Sequence, residues 1–415
     1  MSVNVYRGGG GFGALPIDAL VTALESARLP FVPSFPQERI ELVGRFAAHL
    51  QRDRRWRGVA PVQALAFWLR KAAVTRMADA FRARSHPQAF TTGRGLAFHL
   101  PPQNVDTLFL YSWAIAFLCG NANFVRLPEQ ASPTILELLD PLIALLDEVG
   151  SGDIFLTYPR ADSAVNARLS GVADCRLVWG GDAKAALFNE LPVRVGGKSL
   201  MFADRYSHAV VSAKAIARLD RAGTDQLAKS LHDDIRLFDQ QACSSPHTIH
   251  VLDAGEVGLA AVHRLLEKVD ILAREAPSTD PAHGMVKFTA TCALAVDDSL
   301  VVARRLSNET TVVELARSED RGVAIGGGFL SLRVAGSVAE VAETLTGRDQ
   351  TLTHFGLDAL SLERLSALAA SRGVARLVPI GSALKFDQLW DGYDLVAELT
   401  RVVRVASFPA GGTAS

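Results

Sequence analysis

The chain has 415 residues, 49% of them apolar and 21% charged, with a formal net charge of −1. That length exceeds one ordinary core and predicts two or three domains. The near-neutral balance excludes phosphate-backbone binding, which needs a basic surplus, so no nucleic-acid partner is expected. Taken in chain order, apolar residues at three- and four-residue spacing predict helices over Ser34–Leu50 and Pro61–Arg84, with Pro61 in a first turn. From Thr92 the texture changes. Gly95–Leu100 reads as a strand that stops at Pro101-Pro102-Gln103-Asn104, and Asp106–Cys119 as a buried helix. The uncharged run Thr107–Val125 is broken by Gly120, Asn121 and Asn123, so its continuous apolar part is short of the ~20 residues of a membrane span.

Strands are predicted at Asn123–Leu127, Asp153–Tyr158 and Cys175–Trp179, and helices at Ser132–Val149, Ala164–Leu169 and Asp182–Glu190. This alternation implies a mostly parallel sheet covered on both faces, a doubly wound α/β domain. Lys198–Val211 holds one or two strands and Arg218–Phe238 a helix. Thr248–Leu252 reads as strand, Val257–Ala273 as helix, Glu275–Gly284 as a surface loop, and Thr289–Val296, Thr310–Leu315 and Leu330–Val334 as strands. The expected division is 1–237 for N-terminal helices plus a first α/β domain, 238–385 for a second, and 386–415 for a segment that packs back or mediates dimer contacts.

The four cysteines have no CxxC and no His pair at ligand spacing, so neither a metal site nor a disulfide framework is expected. Cys119, in an apolar helix, and Cys292, in an apolar strand, read as small buried hydrophobes. Cys175 has no evident activator. Cys243 differs: in Gln240-Gln241-Ala242-Cys243-Ser244-Ser245-Pro246 it sits among small polar residues. Such a loop leaves room for a substrate carbonyl and offers N–H groups to a thiolate or oxyanion. Asn104, on a Pro-rich loop after a strand, could donate its amide to an oxyanion or simply satisfy its own turn. Trp179-Gly180-Gly181-Asp182 lies between strand and helix, where glycines let a phosphate approach the helix N-terminus, with Asp182 as N-cap. It could equally be an ordinary turn.

Other glycine patterns fail. Gly8-Gly9-Gly10-Gly11-Phe12-Gly13 fits GxGxxG but follows no predicted strand and reads as a flexible terminus. Gly197-Lys198-Ser199 ends like a P-loop, but Pro192 stands in place of its first glycine. Gly326-Gly327-Gly328 reads as a turn. His208, His247 and His250 form no defensible triad order and read as structural or solvated. Met1–Gly13 has no apolar signal-peptide core, so a cytoplasmic location is expected.

In order along the chain, Pro101-Pro102-Gln103-Asn104-Val105, Gly120-Asn121-Ala122-Asn123-Phe124-Val125-Arg126, Val178-Trp179-Gly180-Gly181-Asp182, Phe202-Ala203-Asp204-Arg205-Tyr206-Ser207, the Cys243 segment and Trp390-Asp391-Gly392 resemble the aldehyde dehydrogenase superfamily. More closely they resemble the bacterial fatty acyl-CoA reductases of the bioluminescence type. The resemblance runs from about residue 90 to the C-terminus. It implies two doubly wound α/β domains, nucleotide-binding and catalytic, with the active site between them. It also implies that Cys243 attacks an acyl thioester and that reduced nicotinamide releases an aldehyde from the acyl enzyme. Asn104 would hold the oxyanion, Arg126 and Glu129 the adenosine ribose, Gly180, Gly181 and Asp182 the phosphate turn, and Gly196-Gly197 would match a Gly-Gly beside the catalytic centre.

That Gly-Gly is preceded, in enzymes that oxidise aldehydes, by a Glu that activates water; Arg194 stands at the matched place here. Without that base, water does not readily clear an acyl enzyme, which favours the reductive direction. NADPH, or NADH, is the implied cofactor: Arg126 could pair with a 2′-phosphate that Glu129 would repel. The implied partners are an acyl-CoA or acyl-carrier substrate, an acyl-protein ligase, and a second copy in a dimer. Two other readings stand beside this one: a non-redox cysteine acyltransferase or thioesterase, and an inactive homologue acting as a scaffold.

Overall fold

The computed structural model describes residues 1–28, 32–85, 89–102, 105–275, 282–296, 300–315 and 324–404. The chain forms two compact units, one of Met1–Ala203 with Tyr393–Ser415 and one of Asp204–Gly392. The boundary falls at Asp204 rather than near Phe238. The strand and helices between these positions build the second sheet, so the Cys243 segment is internal to its unit rather than at its start.

In the first unit the strands are β1 (Ser2–Tyr6), β2 (Phe12–Pro16), β3 (Ala89–Gly93), β4 (Leu96–Leu100), β5 (Ala122–Arg126), β6 (Ile154–Thr157), β7 (Cys175–Trp179) and β8 (Lys198–Phe202). Seven of them form one sheet in the order β2-β1-β6-β5-β4-β7-β8. From β6 to β8 every neighbouring pair is parallel. The chain runs outward from β4 to β6, then returns to place β7 on the other side of β4. Such a reversal opens a crevice at the carboxyl ends of the two strands. The helix Leu108–Leu118, buried at every position from Phe109 to Leu118, packs against this sheet. Its apolar surface all round is what a core helix requires. Among the described residues no helix is long and apolar enough to cross a membrane.

The glycine-rich N-terminus is a β-hairpin, not a loose end. Asp140 explains it: its carboxylate accepts from the Tyr6 hydroxyl at 2.6 Å and from the Gly9 N–H at 2.7 Å, and β1 then joins β6 antiparallel. Gly8, Gly9 and Gly10 all have positive φ, which a residue with a Cβ rarely adopts. The chain returning from Tyr393 forms the strand Thr400–Arg404, which pairs antiparallel with β3.

The second unit contains β9 (Tyr206–Ser212), β10 (Thr248–Leu252), β11 (Leu300–Arg305), β12 (Thr311–Leu315), β13 (Phe329–Val334), β14 (Asp349–Phe355) and β15 (Arg376–Pro379). Their order is β11-β12-β13-β10-β9-β14-β15, parallel except for β11. Ala209, Val211, Ile249, Val251, Leu330 and Leu332 give one face its core, under the helices Arg221–Arg236 and Glu256–Glu275. Thr289–Val296, expected as a strand, belongs to the helix Ala282–Val296. Lys287 and Leu294 are its buried positions, one seven-residue step apart, a helical spacing hidden inside a run rich in strand-forming residues. Cys292 accordingly is exposed rather than a buried hydrophobe.

Candidate active site

Cys243 is exposed, whereas Cys119 and Cys175 are buried. Burial drives the Cys175 thiol up to about 12, so that group is inert. The two serines after Cys243 do not open the loop, as Ser244 and Ser245 are both buried. Cys243 therefore stands on a packed support.

That support is built around Gln240. Its amide nitrogen donates to the Pro246 carbonyl at 2.8 Å and the Phe329 carbonyl at 3.0 Å, and its oxygen accepts from the Gly328 N–H at 3.0 Å. Asp239 and Gln240 both have positive φ, so the chain reverses sharply just before the cysteine. The Gly327 N–H donates to the Asp239 carbonyl at 2.9 Å. A Cβ on Gly328 would fall 2.1 Å from the Glu309 carbonyl oxygen. The triple-glycine turn is thus the seat of the Cys243 segment. On the other side the Ser207 hydroxyl donates to the Cys243 carbonyl at 2.6 Å.

The surrounding protein raises the Cys243 thiol above its ordinary range, and the carboxylates of Asp391 and Asp204 add to the rise. The backbone N–H of Arg205 and that of Cys243 itself oppose it by hydrogen bonding to the sulfur. Of the three histidines that formed no triad in sequence, His208 and His250 meet. His208 contacts Asp349 at 2.9 Å and His250 at 3.1 Å, and the His247 ring lies 5.2 Å from that of Tyr206. Burial and the neighbouring His208 lower His247 to about 4, so it is a neutral imidazole.

In the first unit, Pro101, Pro102, Arg126, Arg160, Trp179, Gly180, Gly181, Ala183 and Lys184 line a pocket of about 280 Å³. It lies at the carboxyl ends of β4, β5 and β7, where the strand order reverses. Gly181 is the N-cap of the helix Asp182–Glu190, and Asp182 is its first residue rather than its cap. Gly180 has φ +149, and a Cβ there would meet the Lys184 side chain at 2.9 Å. Arg126 is buried over the Tyr158 ring and donates to the Tyr158 carbonyl at 3.1 Å, while its Nε makes no hydrogen bond among the described residues. Glu129 lies 3.7 Å from Arg126 and accepts from the Arg160 N–H.

Lys184 and Arg160 carry no motif. Lys184 is legible only once the fold brings its ammonium to the carbonyls of Leu100, Pro101 and Trp179, at 2.8, 3.0 and 2.8 Å. Burial, reinforced by Arg126 and Arg160, lowers it to about 7.

Not every expected residue joins these groups. Asn104 and Gln103 lie outside the described residues. Gly196 and Gly197 precede β8, whose first residue pairs with Cys175 and whose last pairs with Trp179. They therefore sit at the amino end of the sheet, a strand length from Gly180 and Gly181. Arg194 lies with them, 3.6 Å from Asp174. The match to a Gly-Gly beside the catalytic centre put them at the wrong end of β8. The chain beyond that strand, at Arg205, is what reaches Cys243.

The fold is shared with solved enzymes. A 1-pyrroline-5-carboxylate dehydrogenase from Thermus with bound NAD superposes with a TM-score of 0.65 at 15% identity, covering 93% of this chain and 84% of that one. A methylmalonate-semialdehyde dehydrogenase from Oceanimonas doudoroffii gives 0.63 at 14%, covering 98% and 96%. An oxidoreductase from Marinobacter aquaeolei gives 0.65 at 14%, covering 97% and 94%. No curated protein sequence matches the chain. Two α/β units with this likeness define the aldehyde dehydrogenase fold. The acyl-CoA reductase (LuxC) family model matches residues 70–405, and the chain belongs to that family.

Proposed function

We propose that this protein reduces an acyl thioester to an aldehyde through an acyl group held on Cys243. The observation that carries the reading is that Cys243, an exposed residue, has its sulfur facing the N–H groups of Arg205 and Cys243 on a loop clamped by Gln240 and Ser207. Family membership supplies the substrate class, an acyl-CoA. The Cys243 thiolate adds to the thioester carbonyl, and the tetrahedral adduct collapses with loss of the free thiol of the donor. The same N–H groups that favour the thiolate suit the negative charge of that adduct. Asn104 is proposed as a further oxyanion donor on its sequence match.

The pocket at the carboxyl ends of β4 and β7 suits the phosphate end of a nicotinamide dinucleotide. Its glycine turn lets a phosphate approach a helix N-terminus, and three cations surround it. Arg126, Arg160, Lys184, Gly180 and Gly181 are the residues that would hold it. When bound in reduced form it supplies the hydride that releases the aldehyde. Arg160 and Lys184 beside Arg126, with Glu129 engaged by the Arg160 N–H, favour NADPH over NADH. Asp182, in the first turn, opposes a close phosphate, and Gly196 and Gly197 take no part in this pocket.

The deciding experiment is cofactor absorbance with a panel of acyl-CoAs and carrier-bound acyl groups. Acyl-dependent oxidation of NADPH is expected, together with an acyl adduct on Cys243 when cofactor is withheld. No oxidation with any donor would end the reductase reading. An adduct on Cys175 would end the assignment of the nucleophile.

A further inference from the structure

The scheme above gives no role to the Arg205 side chain or to Asp391, which belong to two stretches that resemble the aldehyde dehydrogenase superfamily, Phe202–Ser207 and Trp390–Gly392. They meet in the second unit. The Arg205 Nε lies 3.0 and 3.3 Å from the two carboxylate oxygens of Asp391, and the Arg205 guanidinium also donates to the Gly347 carbonyl. The Asp391 side chain is only 3% exposed. It takes a further hydrogen bond from the Gln350 amide, and its φ of +49 places it in the left-handed region. Next to it, the Trp390 ring is covered by the Arg376 guanidinium at 4.8 Å. After Arg205, the Tyr206 N–H donates to the Arg348 carbonyl at 2.9 Å and Ser207 is tied to the Cys243 carbonyl. Residue 205 is thus held at both its side chain and its following peptide.

We infer that the Arg205–Asp391 ion pair is a positioning device for the nucleophile, holding the Arg205 backbone N–H where it hydrogen-bonds the Cys243 sulfur. A surface pair would be worth little, but here one partner is enclosed and both are bonded elsewhere, so the geometry is over-determined. Asp391 acts in two opposed ways. As a nearby negative charge it disfavours the thiolate, and as the anchor of Arg205 it favours the thiolate through the N–H it fixes. Among the described residues, the charged groups that act on the sulfur are the carboxylates of Asp391 and Asp204. The inference rests on Cys243 being the nucleophile proposed above.

Because the two effects have opposite sign, one substitution separates them. The full chain is alkylated with iodoacetamide between pH 6 and 10.5, and the rate is read on the peptide that holds Cys243, since Cys292 is also exposed. In Asp391→Ala, loss of the charge alone would move the midpoint down. Loss of the positioned donor moves it up, by at least about one unit, so that alkylation at pH 8 slows about tenfold. Asp391→Glu restores the native profile. A midpoint in Asp391→Ala that falls or stays put overturns the inference. If that variant does not fold, Asp391→Asn separates the effects the other way: it removes the charge but keeps one acceptor for Arg205, so its midpoint is expected to fall, and a midpoint that rises or stays put overturns the inference. Acylation of the unsubstituted protein by an acyl-CoA is scored separately. Its absence would remove the proposed activity while leaving the alkylation result to decide the role of the pair.

Discussion

The Ser207 hydroxyl donates to the Cys243 carbonyl at 2.6 Å and accepts from the Thr351 N–H at 3.2 Å. One side chain thereby ties the Cys243 peptide to β14, and its removal leaves a buried N–H without its acceptor. Ser207→Ala is expected to cost about 1–3 kcal/mol of stability. It should also lower the rate of Cys243 acylation by about tenfold, which corresponds to ~1.4 kcal/mol of lost transition-state positioning. Thermal unfolding and single-turnover acylation measure the two separately. An unchanged acylation rate would show that the tie serves folding alone.

Gln240 makes a sharper case because all its bonds are inside the protein. Gln240→Leu strands two carbonyls and one N–H, each costing about 1–3 kcal/mol when buried unpaired. The expected loss is at least ~3 kcal/mol. Gln240→Gly loses the same bonds but relieves the positive φ, worth about 1 kcal/mol, so it should be the milder of the two. Denaturant melts rank them. If Leu proves as stable as Gly, the left-handed backbone carries no strain.

Much of this was readable in the sequence, and the failures share a cause. Period and breakers located Thr248–Leu252 and Asp182–Glu190, because both are local properties of a few consecutive residues. The Cys243 segment stood out through its small polar neighbours. Its supports did not, since Gln240 works through Phe329 and Arg205 through Asp391, partners far along the chain. The hairpin at Gly8–Gly10 was missed because Asp140, not the glycines, fixes it. Residues 289–296 were misjudged because a helix anchored at Lys287 and Leu294 leaves most of its apolar side chains outside the core. Gly196-Gly197 was matched by pattern to a place that strand register assigns to the far end of β8.

Lys184 predicts a proton linkage. Its ammonium, lowered to about 7, is largely neutral above that pH in the free protein. A depressed lysine is stabilising to the fold above its unfolded value, and that contribution is lost as pH falls toward 7. Cofactor phosphate works in the opposite direction, because it favours the charged form. NADPH binding at pH 8 should therefore take up close to one proton, and affinity should fall by up to about tenfold per pH unit above 7. Calorimetry in buffers of different ionisation enthalpy measures the uptake. Lys184→Gln should bind more weakly with no pH dependence in this range; a dependence that survives the substitution assigns the linkage elsewhere.

The first unit carries an acid-sensitive group in His99, on β4. It is fully buried, 2.8 Å from the Ser112 hydroxyl and 3.1 Å from the Asn123 side-chain oxygen. Burial lowers it to about 4. A histidine whose folded value lies below its unfolded value stabilises the native state above about 6.5, and that stability is lost as pH falls through 4. The full effect is about 3 kcal/mol. Asp153, which accepts from Asn123, opposes it: burial raises that carboxyl to about 6, so its contribution is present at low pH and lost as pH rises through 6. Raw acid melts mix the two. The difference between the native chain and His99→Phe isolates the histidine, because the substitution leaves the Asp153 carboxyl in place. The melting temperature of the native chain should fall toward that of His99→Phe as pH drops from 7 to 4.5. Parallel curves over that interval would mean that His99 stays neutral in the unfolded chain as well, and the acid sensitivity would then belong to other groups.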